Sequence, residues 1–380
     1  MSAAVRRRRL VLAAVALVAV AAGVAVGSGA GGGSDESDEA DSAAPAPPSC
    51  PREIASHPRR LVGQMLIVRM EQSAAGLRQR IADGEIGGVI LFPPDGSDAE
   101  ALADEVGSLR AAAARGDGQP PFVAIDQEGG DVKRLPGLPP DRSPAAIALD
   151  GERLARSQGG ATGRALRALG IDVDLAPVLD VPGVDGAFIG SRAFSDDPAE
   201  VATLGTAFGL GLQDKGVAAT AKHFPGLGLA TENTDLAPSS IDASRADLEA
   251  GLEPFSAAID AGFELVMVAN ATYPALDPDQ PASQSRRIIH GLLRARLGYG
   301  GVVITDDLGA GALAGAGLDE GAAAVGAARA GADLLLVALT DGVAAQDALL
   351  RAVRSGELDR QALIASCART TALRNRLAGG

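Results

Sequence analysis

Ala221-Lys222-His223-Phe224-Pro225-Gly226-Leu227-Gly228, with Thr231-Glu232-Asn233-Thr234-Asp235 just beyond it, is the stretch on which the fold turns. The residues leading into it, Gly216 to Ala221, are small and apolar, the composition of a buried parallel strand. Lys222 and His223 stand where that strand is expected to end, and Pro225, Gly226 and Gly228 break the backbone into a loop. A cation and an imidazole at a strand's C-terminal tip, followed by a glycine-rich loop, match the place where an α/β barrel keeps its chemistry. Taken alone, the same residues also fit a buried lysine paired with an acid beside an ordinary loop. The chain has three histidines, so one at this place carries weight.

Outward from this strand the pattern alternates. Apolar runs predict strands at 64–68, 87–92, 121–125, 171–176, 216–221, 265–268, 301–305 and 333–337. Between them, helices are predicted at 75–82, 99–114, 154–169, 201–214, 248–261, 288–297 and 320–330, and two more at 344–355 and 359–377. Strands alternating with helices imply a parallel sheet. Eight of them fit a closed (β/α)8 TIM-like barrel, one domain over residues 50–380, better than an open sheet, and the polar clusters fall just after strands. At 380 residues with 47% apolar content the chain can fill such a core, although aromatics are only 3% and Trp is absent. The core must therefore be built of Ala, Val, Leu and Ile. A net charge of −14 argues against a nucleic-acid partner, which needs a basic face. Neither cysteine lies in a metal-ligand spacing, so no zinc site is expected.

Three further segments carry chemistry. Asp126-Gln127-Glu128-Gly129-Gly130 follows the third strand, with Arg134 shortly after. Asp126 suits two sugar hydroxyls and Arg134 a carbonyl or carboxylate, while the plain alternative is a surface turn with an Asp–Arg pair. Ile189-Gly190-Ser191-Arg192-Ala193-Phe194 lies in the loop after the fourth strand; its alternative is a solvated arginine. Thr305-Asp306-Asp307-Leu308 ends the seventh strand, where either aspartate also suits a turn cap.

In this order, these segments and Lys-His-Phe-Pro-Gly-x-Gly resemble the signatures of family 3 glycoside hydrolases, the β-N-acetylglucosaminidase branch. The resemblance runs from about Leu61 to Leu339. It implies Asp126, Arg134, Arg192, Lys222 and His223 as sugar ligands and Asp306 as the nucleophile of a retaining hydrolysis. It implies no metal or organic cofactor. The substrate it implies is a glycoside with terminal β-linked N-acetylglucosamine, such as a cell-wall fragment or muropeptide; no residue here identifies an acetamido pocket.

The chain departs from the family at one place. Retaining hydrolysis needs a group that protonates the leaving oxygen and then activates water. In the resembled branch this is a histidine, oriented by an aspartate two residues before it. Here those positions hold Asp235 and Asn233, and the histidine of the usual Pro-Gly-His-Gly is Leu227. Three readings stay open: Asp235 is the acid/base, Glu232 is, or the protein binds sugar at the cell envelope without turnover.

The first 30 residues read as a signal peptide or signal anchor, with Arg6 to Arg9 as a basic flank and Leu10 to Val26 apolar. Export is expected, with membrane anchoring through 10–26 as one of two outcomes. Residues 31–49, rich in Gly, Ser, acidic residues and then Ala-Pro, read as a disordered linker. In an exported chain two cysteines can pair. Cys50 opens the domain and Cys367 lies near its end, and a barrel brings its first and last elements together, which makes them the candidate disulfide.

Overall fold

The computed structural model describes residues 49–379 apart from 71–74, 95, 96 and 117. The expected leader at 1–30 and nearly all of the expected linker lie outside the described residues. Eight parallel strands form one sheet: β1 Leu66–Arg69, β2 Gly88–Ile90, β3 Phe122–Ile125, β4 Val173–Asp174, β5 Ala218–Phe224, β6 Leu265–Val268, β7 Val302–Thr305 and β8 Leu335–Val337. Each pairs with its neighbours in chain order, and β8 pairs with β1 in register Ile67 to Leu336. The ring closes between β7 and β8 through the Ile304–Leu334 bridge, with Thr305 N–H donating to the Leu334 carbonyl at 3.0 Å.

Strand alternation divides the apolar residues into two cores. Ile67, Phe122, Ala124, Met267 and Ile304 belong to the barrel interior. Val68, Val123, Val266 and Val303 belong to the layer beneath the helices. Both faces are covered, which is why these strands read as continuous apolar runs. The longer α-helices are α1 Ala75–Ala82, α2 Ala99–Arg115, α3 Glu152–Ala168, α4 Pro198–Gln213, α5 Glu253–Asp260, α6 Glu320–Ala330, α7 Val343–Ser355 and α8 Arg360–Ala378. Asp98, Asp197, Asp319 and Asp359 cap α2, α4, α6 and α8, each accepting from a backbone N–H in the first turn.

Helix α8 closes the N-terminal end of the barrel. Leu373 and Leu377 join the interior cluster, and Arg374 donates to the carbonyls of Gly87 (2.8 Å) and Pro120 (3.0 Å), just before β2 and β3. Burial pulls the Arg374 pKa down to about 9, while its guanidinium stacks 4.2 Å from the centre of the Phe122 ring. Cys50 and Cys367 form a disulfide with Cα atoms 5.1 Å apart, tying the chain before β1 to α8.

The structure differs from the sequence reading at several elements. β5 runs on to Phe224 instead of ending at Ala221. β4 shrinks to two residues, since Pro177 beyond it has no N–H for a ladder. The helix expected at 248–261 is two helices, Arg245–Gly251 and α5, because Pro254 is tolerated only in a first turn. The helix expected at 288–297 is wound as a π-helix over Arg287–Arg296. Two hairpins were not legible: Gln127–Gly129 with Val132–Lys133, and Thr272–Tyr273 with Asp277–Pro281. The first turns on Gly129 and Gly130, whose φ angles of 95° and 62° favour glycine.

Candidate active site

The site is built around the end of β5. Ala221 faces Val266 and Phe224 faces Val268, so three steps on β5 match two on β6. The extra residue is a bulge. Plain alternation would send Lys222 and His223 to opposite faces; with the bulge both line one cavity of about 750 Å3 at the C-terminal end of the barrel. The peptide between them is cis. The loop that follows lies so close to the β4 side that a Cβ on Gly228 would stand 1.8 Å from the Val181 carbonyl oxygen.

A charge cluster forms the β3–β5 side of the cavity. Lys222 Nζ lies 2.8 Å from Asp126 Oδ1 and 2.6 Å from Glu128 Oε1. Arg192, on a short turn at Gly190–Arg192, grips Glu128 with two bonds of 2.9 and 2.7 Å. Arg134 stands 3.8 Å from the other oxygen of Asp126. Burial would raise the Glu128 pKa, but Lys222 and Arg192 outweigh it and hold it at about 2. Burial likewise works against the Lys222 cation, yet Asp126 and Glu128 push its pKa above the usual value. Glu128 and Lys222 therefore stay ionised at neutral pH. Lys222 has spent two of its three donors on carboxylates, leaving one for a ligand.

Asp180, fully buried beyond β4, sets the neighbouring imidazole. Its Oδ2 lies 2.7 Å from His223 Nδ1, and its Oδ1 accepts from the N–H groups of His223 (3.1 Å) and Leu227 (2.6 Å). The ring's Nδ1 is thus occupied, and His223 Nε2 is the nitrogen left for a ligand.

Asp306 follows β7 and lines the same cavity. In the order of the ring β7 and β3 are four strands apart in either direction, so Asp306 stands across the mouth from Asp126. Its Oδ1 accepts the Asp307 N–H at 2.9 Å. Burial raises its pKa to about 6; the His223 charge and the Asp307 N–H oppose this, and the charges of Asp235 and Asp307 add to it. Asp307 has a different task. Its Oδ1 accepts from Gly309 and Ala338 N–H groups, both at 3.0 Å, and so fastens the loop after β7 to the end of β8. Burial raises its pKa as well.

The loop after β5 returns over Asp306. Gly311 N–H donates to the Asp235 carbonyl (2.8 Å) and Ala312 N–H to that of Thr234 (3.0 Å). Asn233 Oδ1 accepts the Asp235 N–H at 2.9 Å, an Asx turn that fixes the backbone and leaves the Asp235 carboxylate untouched. Asn233, Thr234 and Asp235 line the cavity; Glu232 is exposed and does not.

Of the residues named from sequence, Asp126, Arg134, Arg192, Lys222, His223, Asp235 and Asp306 meet in this one cavity. Sequence reading missed Glu128, which lay inside the quoted Asp-Gln-Glu-Gly-Gly segment, and Asp180, for which no local pattern gave notice. It also missed Phe92 after β2, whose ring carries the guanidinium groups of Arg69 and Arg134, each 4.8 Å from its centre.

Comparison with known proteins bears on this arrangement. The profile of the glycosyl hydrolase family 3 N-terminal domain matches residues 59–373. A β-hexosaminidase of Stenotrophomonas maltophilia is 37% identical over 291 residues, 73% of this chain and 83% of that protein. An uncharacterised secreted glycosyl hydrolase of Arthroderma benhamiae is 38% identical over 306 residues, 78% of this chain and 86% of that protein. Among solved structures, a family 3 β-N-acetylglucosaminidase from Paenibacillus sp. FPU-7 superposes with a TM-score of 0.81 at 38% identity, covering 84% of this chain and 62% of that one. A β-N-acetylhexosaminidase from Beutenbergia cavernae gives 0.77 at 34%, covering 84% and 98%. With the profile spanning nearly all of the described barrel, and with relatives of this identity and coverage, the chain belongs to glycosyl hydrolase family 3 and is a glycosidase.

Proposed function

We propose that the protein releases terminal β-linked N-acetylglucosamine from cell-wall-type glycosides, muropeptides among them, with retention of configuration. One observation carries this reading: the Asp306 carboxylate faces, across a cavity of about 750 Å3, a fixed cluster of charges suited to sugar hydroxyls. Asp126, Lys222, His223, Arg192 and Arg134 hold the hydroxyls. Asp306 attacks the anomeric carbon as the bond to the leaving oxygen breaks, and Asp235 gives that oxygen its proton. Water then attacks the same carbon, passes a proton back to Asp235, and frees the Asp306 carboxylate. Asp235 is favoured over Glu232 because it lines the cavity and its charge reaches Asp306.

The basic, apolar leader, the linker and the secreted relative support action outside the cytoplasm. Among the described residues no helix is long and apolar enough to cross a membrane.

The test is trapping with a 5-fluoro N-acetylglucosaminyl fluoride, which keeps the acetamido group, followed by peptide mapping. A label on the peptide holding Asp306 is the expected result. A label on another residue removes Asp306 from the role. Sugar binding with no label and no release from a chromogenic glycoside selects the non-catalytic envelope protein instead.

A further inference from the structure

The cations that line the cavity are not all alike. Arg134, Arg192 and Lys222 each face a carboxylate of Asp126 or Glu128. Arg69 lines the same cavity and has no carboxylate or carbonyl partner among the described residues. Its guanidinium rests against the Phe92 ring, 4.8 Å from the centre, on the ring that also carries Arg134. A guanidinium laid on an aromatic ring keeps its N–H donors for another partner. The backbone beneath it is fixed as well, since β1 is paired to β2 as far as Arg69 and Ile90. Strand and ring together place the cation before any ligand arrives. Of the acids at the mouth, Asp126 faces Lys222 and Arg134, and Asp307 accepts from two backbone N–H groups; neither pairs with Arg69.

We propose that Arg69 receives a free carboxylate on the leaving-group sugar, so that the protein favours disaccharides whose second sugar is an acid over those in which it is neutral. The proposal rests on the reading of the protein as a hydrolase that releases terminal N-acetylglucosamine. Lys222 and Glu128 are buried, whereas Arg69 is exposed at the rim. A sugar seated on the buried cluster lies deep, and the part of the substrate that meets the rim is the part that leaves. In the order of the ring β1 lies opposite β5, which carries Lys222 and His223, and only β8 separates it from β7, which carries Asp306 to the mouth. In cell-wall disaccharides the acid is a lactyl ether on the carbon next to the one that bears the scissile oxygen. A carboxylate so close to the bond being broken stays on the arc of the mouth that Asp306 and Arg69 share. Guanidinium and carboxylate then meet through paired N–H···O bonds. A peptide joined to the lactyl group converts the carboxylate to an amide and removes the charge, which makes Arg69 a selector for glycan fragments without peptide at that position.

The measurement is kcat/KM for N-acetylglucosaminyl-β-1,4-N-acetylmuramic acid against that for the same disaccharide with its carboxylate converted to the primary amide. The wild-type protein should favour the acid by about tenfold. The preference should shrink as salt is raised, because the contact is exposed. In Arg69→Gln the acid-to-amide ratio should fall to about one; the side chain it replaces is exposed, so the core is undisturbed. Equal rates in the wild type, a preference indifferent to salt, or a ratio unchanged in Arg69→Gln overturns the assignment. Calorimetric binding of the two disaccharides made with a sulfur link separates this from failure of the catalytic reading. Tighter binding of the acid that is lost in Arg69→Gln supports the contact even in a protein without turnover, and equal affinities refute it.

Discussion

Asp306 carries two consequences that can be measured separately. As the proposed nucleophile Asp306 must be ionised, and its pKa in the free protein is raised to about 6. The acid limb of kcat/KM should therefore fall near pH 6, with activity dropping roughly tenfold per unit below it. Asp235 contributes part of that rise, so Asp235→Asn should move the limb to lower pH as well as depress turnover of poor leaving groups. A limb that stays in place in that variant would detach Asp235 from the nucleophile. The second consequence concerns stability. The folded state holds this proton more tightly than the unfolded state, whose carboxyl titrates near 3.8. The cost of ionising it in the fold is absent at pH 3, grows as pH rises through 3.8 to 6, and is complete at pH 7. Asp306→Asn should thus lose more than about 10³-fold in kcat yet gain up to about 3 kcal/mol at pH 7, less whatever cavity water screens. Urea unfolding at pH 7 and pH 4 checks the sign, since the gain must shrink on acidification.

The β5 tip and the segment after β3 act as a unit. The bulge points Lys222 and His223 the same way, and Glu128 and Asp180 then fix each of them from behind. Glu128 is the member whose removal is most diagnostic, because it is the shared counter-charge of buried Lys222 and half-buried Arg192. Glu128→Gln should destabilise the protein by about 3–5 kcal/mol. It should also raise KM more than it lowers kcat, since Arg192 loses the carboxylate that aims it. Chemical denaturation and steady-state kinetics read these independently, and a variant with unchanged stability would show that Lys222 and Arg192 do not need Glu128 as their counter-charge. The Lys-His-Phe-Pro-Gly and Asp-Gln-Glu-Gly-Gly segments were visible as motifs, whereas the pairing of Glu128 with Lys222 was not, because it joins residues almost a hundred positions apart on strands that are not neighbours.

At the scale of the molecule, ring closure sets what faces what. It places β7 opposite β3 and lays α8 across the N-terminal end, where Cys50 and Cys367 meet. That bond closes a loop of nearly the whole barrel, so Cys50→Ser with Cys367→Ser should cost about 2–4 kcal/mol. Neither cysteine lines the cavity; thermal melts should fall while kcat at 25 °C holds, and a kcat loss matching the melting shift would place the disulfide in the site's support. The alternation of apolar runs with amphipathic helices determined the barrel from sequence alone, since a strand buried on both faces must be apolar throughout and each tip is free to be polar. Local sequence likewise determined that Asp126, Lys222 and Asp306 sit at strand ends. Only the tertiary structure decided that Asp235 and not Glu232 reaches the cavity, and that burial and neighbouring carboxylates raise the Asp306 pKa. Each of these depends on which groups are neighbours through space, and that is fixed by the closure of the ring and the path of its loops.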